Sequence, residues 1–324
     1  MTPVELSRTV LRAVRRAVDD GELSVAVPQR VVVAPPGPGG CGDYATNIAL
    51  QLARPAGQPP ARVAEILRRH LAGTDGVADV VVTGPGFINI SLESVGQSAA
   101  ALVREILSRG RAYGHSDSLA GHLVELRIPY DVRAEVLADA LVRVVGSQGG
   151  RVEVEHREPH NLRPVPAPED PAPLGPDAAR WALLHPAAHD RPRITADHLV
   201  QRESNPLFRV RYAHARTRAL SRNASDLGFT AEPGPLPEAT PLLAALADHP
   251  RVLARAAEHR APDRLARHLV TVADAALPLF AAVLPRGDEK PSAAHRARLA
   301  LAEAAGTVLA GGLSLLGIDA PDHL

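Results

Sequence analysis

The densest group of chemically versatile side chains is the run Asn205-Pro-Leu-Phe-Arg-Val-Arg-Tyr-Ala-His-Ala-Arg-Thr-Arg218, which sets aromatic, amide, imidazole and guanidinium groups in one stretch. With Asn205 as a cap and Pro206 in the first turn, the stretch reads as a helix. Helical spacing then puts Phe208, Tyr212 and Ala215 on one stripe and Arg211, His214 and Arg218 on the next. Such a surface can stack on a base and hold a phosphate. The same spacing also fits a helix that buries Phe208 and Tyr212 and leaves its arginines in water. A second pair, Phe87 and Asn89, alternates on a strand after Gly84-Pro85-Gly86. It offers a ring for stacking and an amide for reading a base edge, or else a core ring and an amide that satisfies a hairpin.

Other chemistries find little support. The single cysteine, Cys41, excludes an intramolecular disulfide or a cysteine-rich metal site. His185 and His189 have ligand spacing, but Pro186 breaks the helix between them, so no metal site is expected. Gly37 to Gly42 lacks the Lys-Ser/Thr of a phosphate loop, and no serine elbow is present, so no cofactor is expected either.

With 324 residues, 45% hydrophobic and 22% charged, the chain is long enough for two or three domains. Its net charge of zero means that any nucleic-acid contact must come from a local patch. Lys290 is the single lysine among 36 cationic side chains, which with 30 prolines points to a GC-rich coding sequence. No run of 18 or more apolar residues occurs, and Glu5, Arg8, Arg12, Arg15 and Arg16 interrupt the first helix. A cytoplasmic protein with no membrane partner is therefore expected.

Periodicity predicts helices over 2–20, 42–53, 60–71 and 95–110, a buried strand at 30–34, a Pro/Gly loop at 35–42, and a hairpin of strands 77–83 and 87–92. Residues 121–157 read as strand, helix, strand, followed by a Pro-rich linker. From Asp177 onward the pattern is helical, over 178–184, 199–226, 242–247, 251–258, 262–284 and 293–316. The fold class is thus a multidomain α+β chain. It has a small N-terminal α+β domain over 1–110, a short βαβ remnant with linker over 111–173, and a C-terminal antiparallel α-helical bundle over 174–324.

Three segments, in order, resemble the arginyl-tRNA synthetase family. Gly42-Asp-Tyr-Ala-Thr-Asn-Ile-Ala49 and Gly84-Pro-Gly-Phe-Ile-Asn-Ile90 are similar to its N-terminal additional domain. Tyr212-Ala-His-Ala-Arg216, Arg251-Val-Leu-Ala-Arg-Ala-Ala257, Arg264-Leu-Ala-Arg-His-Leu269 and the ending Leu315-Leu-Gly-Ile-Asp-Ala-Pro321 are similar to its DALR-type anticodon-binding domain. Leu174 to Leu184 resembles the segment that joins the catalytic domain to that bundle. The resemblance implies tRNA contact on the D-loop side by Phe87 and Asn89, with Tyr44 and Asn47 as further candidates; the residues themselves also read as structural there, Asp43 capping the helix and Tyr44 packing beneath it. It implies anticodon-side contact by Tyr212, His214 and Arg216. His268 stands where the family usually has a tyrosine, and Arg209 and Arg211 stand where it usually has a Tyr and a Gln. These exchanges favour backbone attraction over base reading.

The resemblance also implies what is missing. A class I synthetase holds ATP with a His-x-Gly-His tetrad at a helix N-terminus and a Lys-Met-Ser-Lys-type loop. Here Leu126 to Leu141 contains neither Gly nor His, Lys290 is the only lysine and Met1 the only methionine. The expectation is a non-catalytic paralogue that binds tRNA, of the arginine-accepting kind, and presents or sequesters it. The rival readings are a protein-interaction module that partners a synthetase or tRNA-modifying enzyme, and an active arginine–tRNA ligase.

Overall fold

Proline and glycine mark many element ends in this chain: Pro60, Pro206 and Pro262 open helices, and Gly57 and Gly317 close them. The computed structural model describes residues 3–37, 41–74, 77–92, 95–236 and 239–324. The centre of the Pro/Gly loop, 38–40, lies outside the described residues. Two compact units result, residues 1–102 and 103–324.

The first unit opens with helix α1 (Pro3–Asp19), which turns Leu6, Val10, Ala13, Val14 and Ala17 inward at helical spacing. Strand β1 (Tyr44–Thr46), helices α2 (Ile48–Ala56) and α3 (Pro60–Leu71), and strands β2 (Val77–Thr83) and β3 (Phe87–Leu92) follow. The sheet order is β1-β3-β2, antiparallel throughout, with Thr46 opposite Ile88 and Val80 opposite Ile90. Val63, Leu67 and Leu71 of α3 pack with the α1 face and with Ile88 and Ile90 to form the core.

Three expectations from the sequence do not hold in this unit. Residues 42–53 are not one helix: 44–46 pair with β3, because sheet pairing outweighs weak local helix preference. Asp43 therefore does not cap the helix; its carboxylate accepts the Leu92 N–H at 2.8 Å and seals the sheet end. Asn47 takes the cap position without a side-chain cap bond. Residues 30–34 form no strand. Only Ala34 pairs, with Ala45, at 3.0 and 2.7 Å, since Pro35 and Pro36 have no N–H to extend the ladder.

Helix α4 (Val95–Arg109) spans the boundary between the units. In the second unit, parallel strands β4 (Leu123–Arg127) and β5 (Arg151–Glu155) flank helix α5 (Val132–Gly146) as expected. Asn161 closes the outer edge of β4: its amide accepts the Arg127 N–H at 2.7 Å and donates to the Glu125 carbonyl at 3.0 Å. Helices α6 (Gly175–Leu184), α7 (Pro206–Asp226), α8 (Thr240–Glu258), α9 (Pro262–Ala276) and α10 (Ala293–Leu316) make the bundle.

Three boundaries differ from the sequence reading. Helix α7 begins at Pro206, after a separate 3-10 turn at Ala196–Leu199, because the Asn205 amide caps α7 and also donates back to the carbonyls of His198 and Val200. Helix α8 runs through Pro250 in one piece, since the buried Leu246, Leu253 and Ala256 hold both halves against the core. Helix α9 stops at Ala276, with Pro278 leading into a 3-10 turn.

Helix α10 is apolar nearly all round, which is the pattern of a central helix. Pro262–Ala282 and Ala293–Leu316 are both long and apolar enough to cross a membrane, but 78% of the second window is buried within the bundle. Gly306, Gly311 and Gly312 let its neighbours in. A Cβ on Gly311 would stand 2.9 Å from the Arg111 carbonyl, and one on Gly312 would run into the Leu269 side chain.

Candidate nucleic-acid interface

The geometry of α7 follows from its cap. Asn205 accepts from the Leu207 and Phe208 N–H groups at 3.1 and 3.3 Å and fixes the helix rotation. Leu207, Val210, Ala213, His214, Thr217, Leu220 and Ala224 then face inward. Phe208 lies at the edge of that face, and its ring stacks on Tyr212 with centroids 5.5 Å apart. Tyr212 is 41% exposed, and Arg216, one turn on, is exposed with no ion-pair partner among the described residues. One exposed ring backed by a second ring, next to a free guanidinium, can stack a base and hold its phosphate.

The other expected residues lie elsewhere. His214 is buried, and its Nδ1 meets the Pro321 carbonyl at 3.0 Å, so it ties the C-terminal tail to the helix. Burial pushes its pKa down, the Pro321 carbonyl opposing. Arg218 bonds Asp322 in the same tail at 3.1 Å. Arg209 pairs with Asp274 at 3.0 Å and Arg211 with Asp177 at 3.4 Å, so their expected contribution of open charge is neutralised within the fold. His268 is buried in α9 and stacks on the buried His249 of α8, centroids 5.3 Å apart. Desolvation, with smaller charge effects, drives His249 down to about 3 and His268 to about 4, so both are neutral rings in the core.

In the first unit, the hairpin presents Phe87 at 42% exposure. Gly86, at a φ of 138° and backed by the Pro60 carbonyl, permits that tight corner. Asn89 is only 2% exposed. Its amide donates to the Val81 carbonyl and to Thr83 Oγ1 and accepts from the Cys41 N–H at 3.3 Å, which uses its bonding capacity within the fold. Tyr44 is half-buried against the core, and Asn47 is exposed and bonds Gln51 at 2.9 Å. Phe87 is thus the accessible ring of the four.

Two further features carry no local sequence signal. Tyr130 is 88% exposed and stacks on His156 at 4.2 Å, a loop pair that no periodicity marks. Arg133 is fully buried and donates to the carbonyls of Leu183, Val165, Ala188, Asp190, Pro186 and Ala187, with Val165 and Asp190 both at 2.7 Å. It shapes the turn after α6, and only tertiary contacts reveal it.

Two stretches of the chain match known protein families. Residues 5–92 match the arginyl tRNA synthetase N terminal domain, and residues 210–324 match the DALR anticodon binding domain. The chain is arginyl-tRNA synthetase-like and carries these two domains. An arginine–tRNA ligase of Paenarthrobacter aurescens is 38% identical over 169 residues, which cover 48% of this chain and 30% of that protein. One of Kineococcus radiotolerans is 42% identical over 160 residues, covering 47% and 29%. This synthetase-like chain therefore spans less than a third of the curated relatives it matches. In fold it resembles arginyl-tRNA synthetases of Thermus thermophilus (TM-score 0.69, 14% identity, 100% of each chain) and Plasmodium falciparum (0.67, 8%, 99% of each). Both domains point to work related to tRNA.

Proposed function

We propose that this synthetase-like chain binds tRNA, of the arginine-accepting kind, in the cytoplasm without charging it, and presents or sequesters it. The observation that carries the reading is the exposed Tyr212 on Phe208 beside the unpaired Arg216, within the segment that matches the anticodon binding domain. Phe87 at the hairpin tip of the N-terminal domain is the second contact, on the D-loop side. Two modules on one RNA raise avidity without further contacts.

The reading of no catalysis rests on residues 93–209, which separate the matched domains. A nucleotide-binding parallel sheet is covered on both faces and its strands are apolar throughout. Here β4 and β5 alternate. Val124, Leu126 and Val152 lie on the face buried to different extents, and Glu125, Glu153, Arg151 and Glu155 on a face suited to water. At the N-terminus of α5, where ATP phosphates would need free N–H groups, the Asp131 carboxylate accepts from the Ala134 N–H at 3.0 Å and repels anions.

Fluorescence anisotropy with total tRNA tests binding, and no association below about 100 μM at low salt would rule it out. ATP–pyrophosphate exchange with arginine tests catalysis; measurable exchange would make the chain an active ligase. One observation favours a second reading, a protein-interaction module: Arg209 and Arg211 are neutralised inside the fold, which leaves α7 less basic than its sequence. Co-purification of a protein partner free of nucleic-acid absorbance would support it.

A further inference from the structure

Helix α1 buries Leu6, Val10, Ala13, Val14 and Ala17, so what it offers to the solvent is its opposite face. That face carries Arg8, Arg12, Arg15 and Arg16, all exposed, at one-turn spacing. From Arg8 to Arg16, eight residue steps, the helix rises about 12 Å. Apart from an Arg12 bond to Thr9 Oγ1 at 3.0 Å, none of the four has a polar side-chain partner among the described residues. Glu5 and Asp19 share this face at its two ends and leave it a net excess of two positive charges, while Glu22 pairs with Arg69 and His70, and Glu65 with Arg68. Like charges one turn apart on a helix are mutually destabilising. In a chain of zero net charge this concentration is a local excess, not part of a general basic character.

We propose that the outer face of α1 is a phosphate-binding ladder, a contact for the RNA backbone additional to Phe87 and Tyr212. The inference rests on the tRNA-binding reading above. Four fork-shaped guanidinium groups in a row suit a polyanion with regularly repeated phosphates. An anionic membrane is the poorer fit, because the apolar side an amphipathic helix would insert is locked in the domain core. Phosphate contacts of this type carry no sequence information, so the ladder adds affinity for RNA in general and leaves discrimination to the rings.

The test is a salt titration of tRNA binding by the full chain, comparing the wild type with Arg8→Gln/Arg12→Gln/Arg15→Gln/Arg16→Gln and with a control, Arg54→Gln/Arg62→Gln, whose arginines are exposed on α2 and α3. The plot of log K against log salt is expected to flatten by about 0.7–0.9 for each ladder arginine removed, with affinity down at least about tenfold near 0.1 M salt, equally for RNAs of different sequence. The control should keep the wild-type slope, and the melting temperature of the ladder variant should hold or rise as like-charge repulsion is relieved. A ladder variant with wild-type slope while the wild type binds tRNA overturns this inference alone. Failure of the wild type to bind tRNA overturns the function proposed above and this inference with it. Variant-sensitive binding to anionic vesicles in place of RNA overturns the ladder as an RNA site.

Discussion

Among single residues, exposure separates side chains that can meet a ligand from those that hold the fold. Tyr212→Ala is expected to weaken tRNA binding about 5- to 100-fold, the worth of one stacked base, and to leave the melting temperature nearly unchanged. Binding isotherms and thermal scans on the same preparation check both parts. Arg133→Met is expected to do the reverse, since six carbonyls lose their donor. Its cost in unfolding free energy, measured in urea, should exceed about 3 kcal/mol. His249 gives a pH prediction. Its folded pKa is depressed to about 3, so below the unfolded value of 6.5 the unfolded chain binds the extra proton. Stability is then complete above about pH 6.5 and falls on acidification, by about 2 kcal/mol at pH 5 from this group alone. His249→Phe should remove that part of the slope in urea melts recorded across the pH range.

Among elements, the central helix α10 depends on absent side chains. Gly312 admits Leu269 and Gly311 admits the Arg111 carbonyl, so small residues set the distance between α10 and its neighbours. Gly312→Val is expected to destabilise the second unit by about 1–3 kcal/mol through overpacking, read from its denaturation midpoint. Helix α7 works the other way, with one face committed to the bundle and the other free for a partner. Its tail contacts, His214 with Pro321 and Arg218 with Asp322, hold the last residues against it.

For the whole molecule, the question is whether the two domains act on one RNA. If they do, Phe87→Ala and Tyr212→Ala each lower the affinity, and the double variant loses roughly the product of the two factors. If one domain suffices, one of the single variants binds as the wild type does. Anisotropy titrations of the three variants decide between these outcomes.

The sequence by itself made most elements, the family resemblance and the Asn205 cap of α7 legible, because periodicity, proline, glycine and cap residues are local signals. It could not place 44–46 in a sheet, since that depends on pairing with residues 88–90 far along the chain. Nor could it show that Asn89, His214 and His268 point inward while Phe87 and Tyr212 stay exposed. Both kinds of residue carry rings or amides at regular spacing. Which of them meets solvent is settled by the Thr83, Pro321 and His249 groups that reach them from distant segments, and so by the tertiary structure alone.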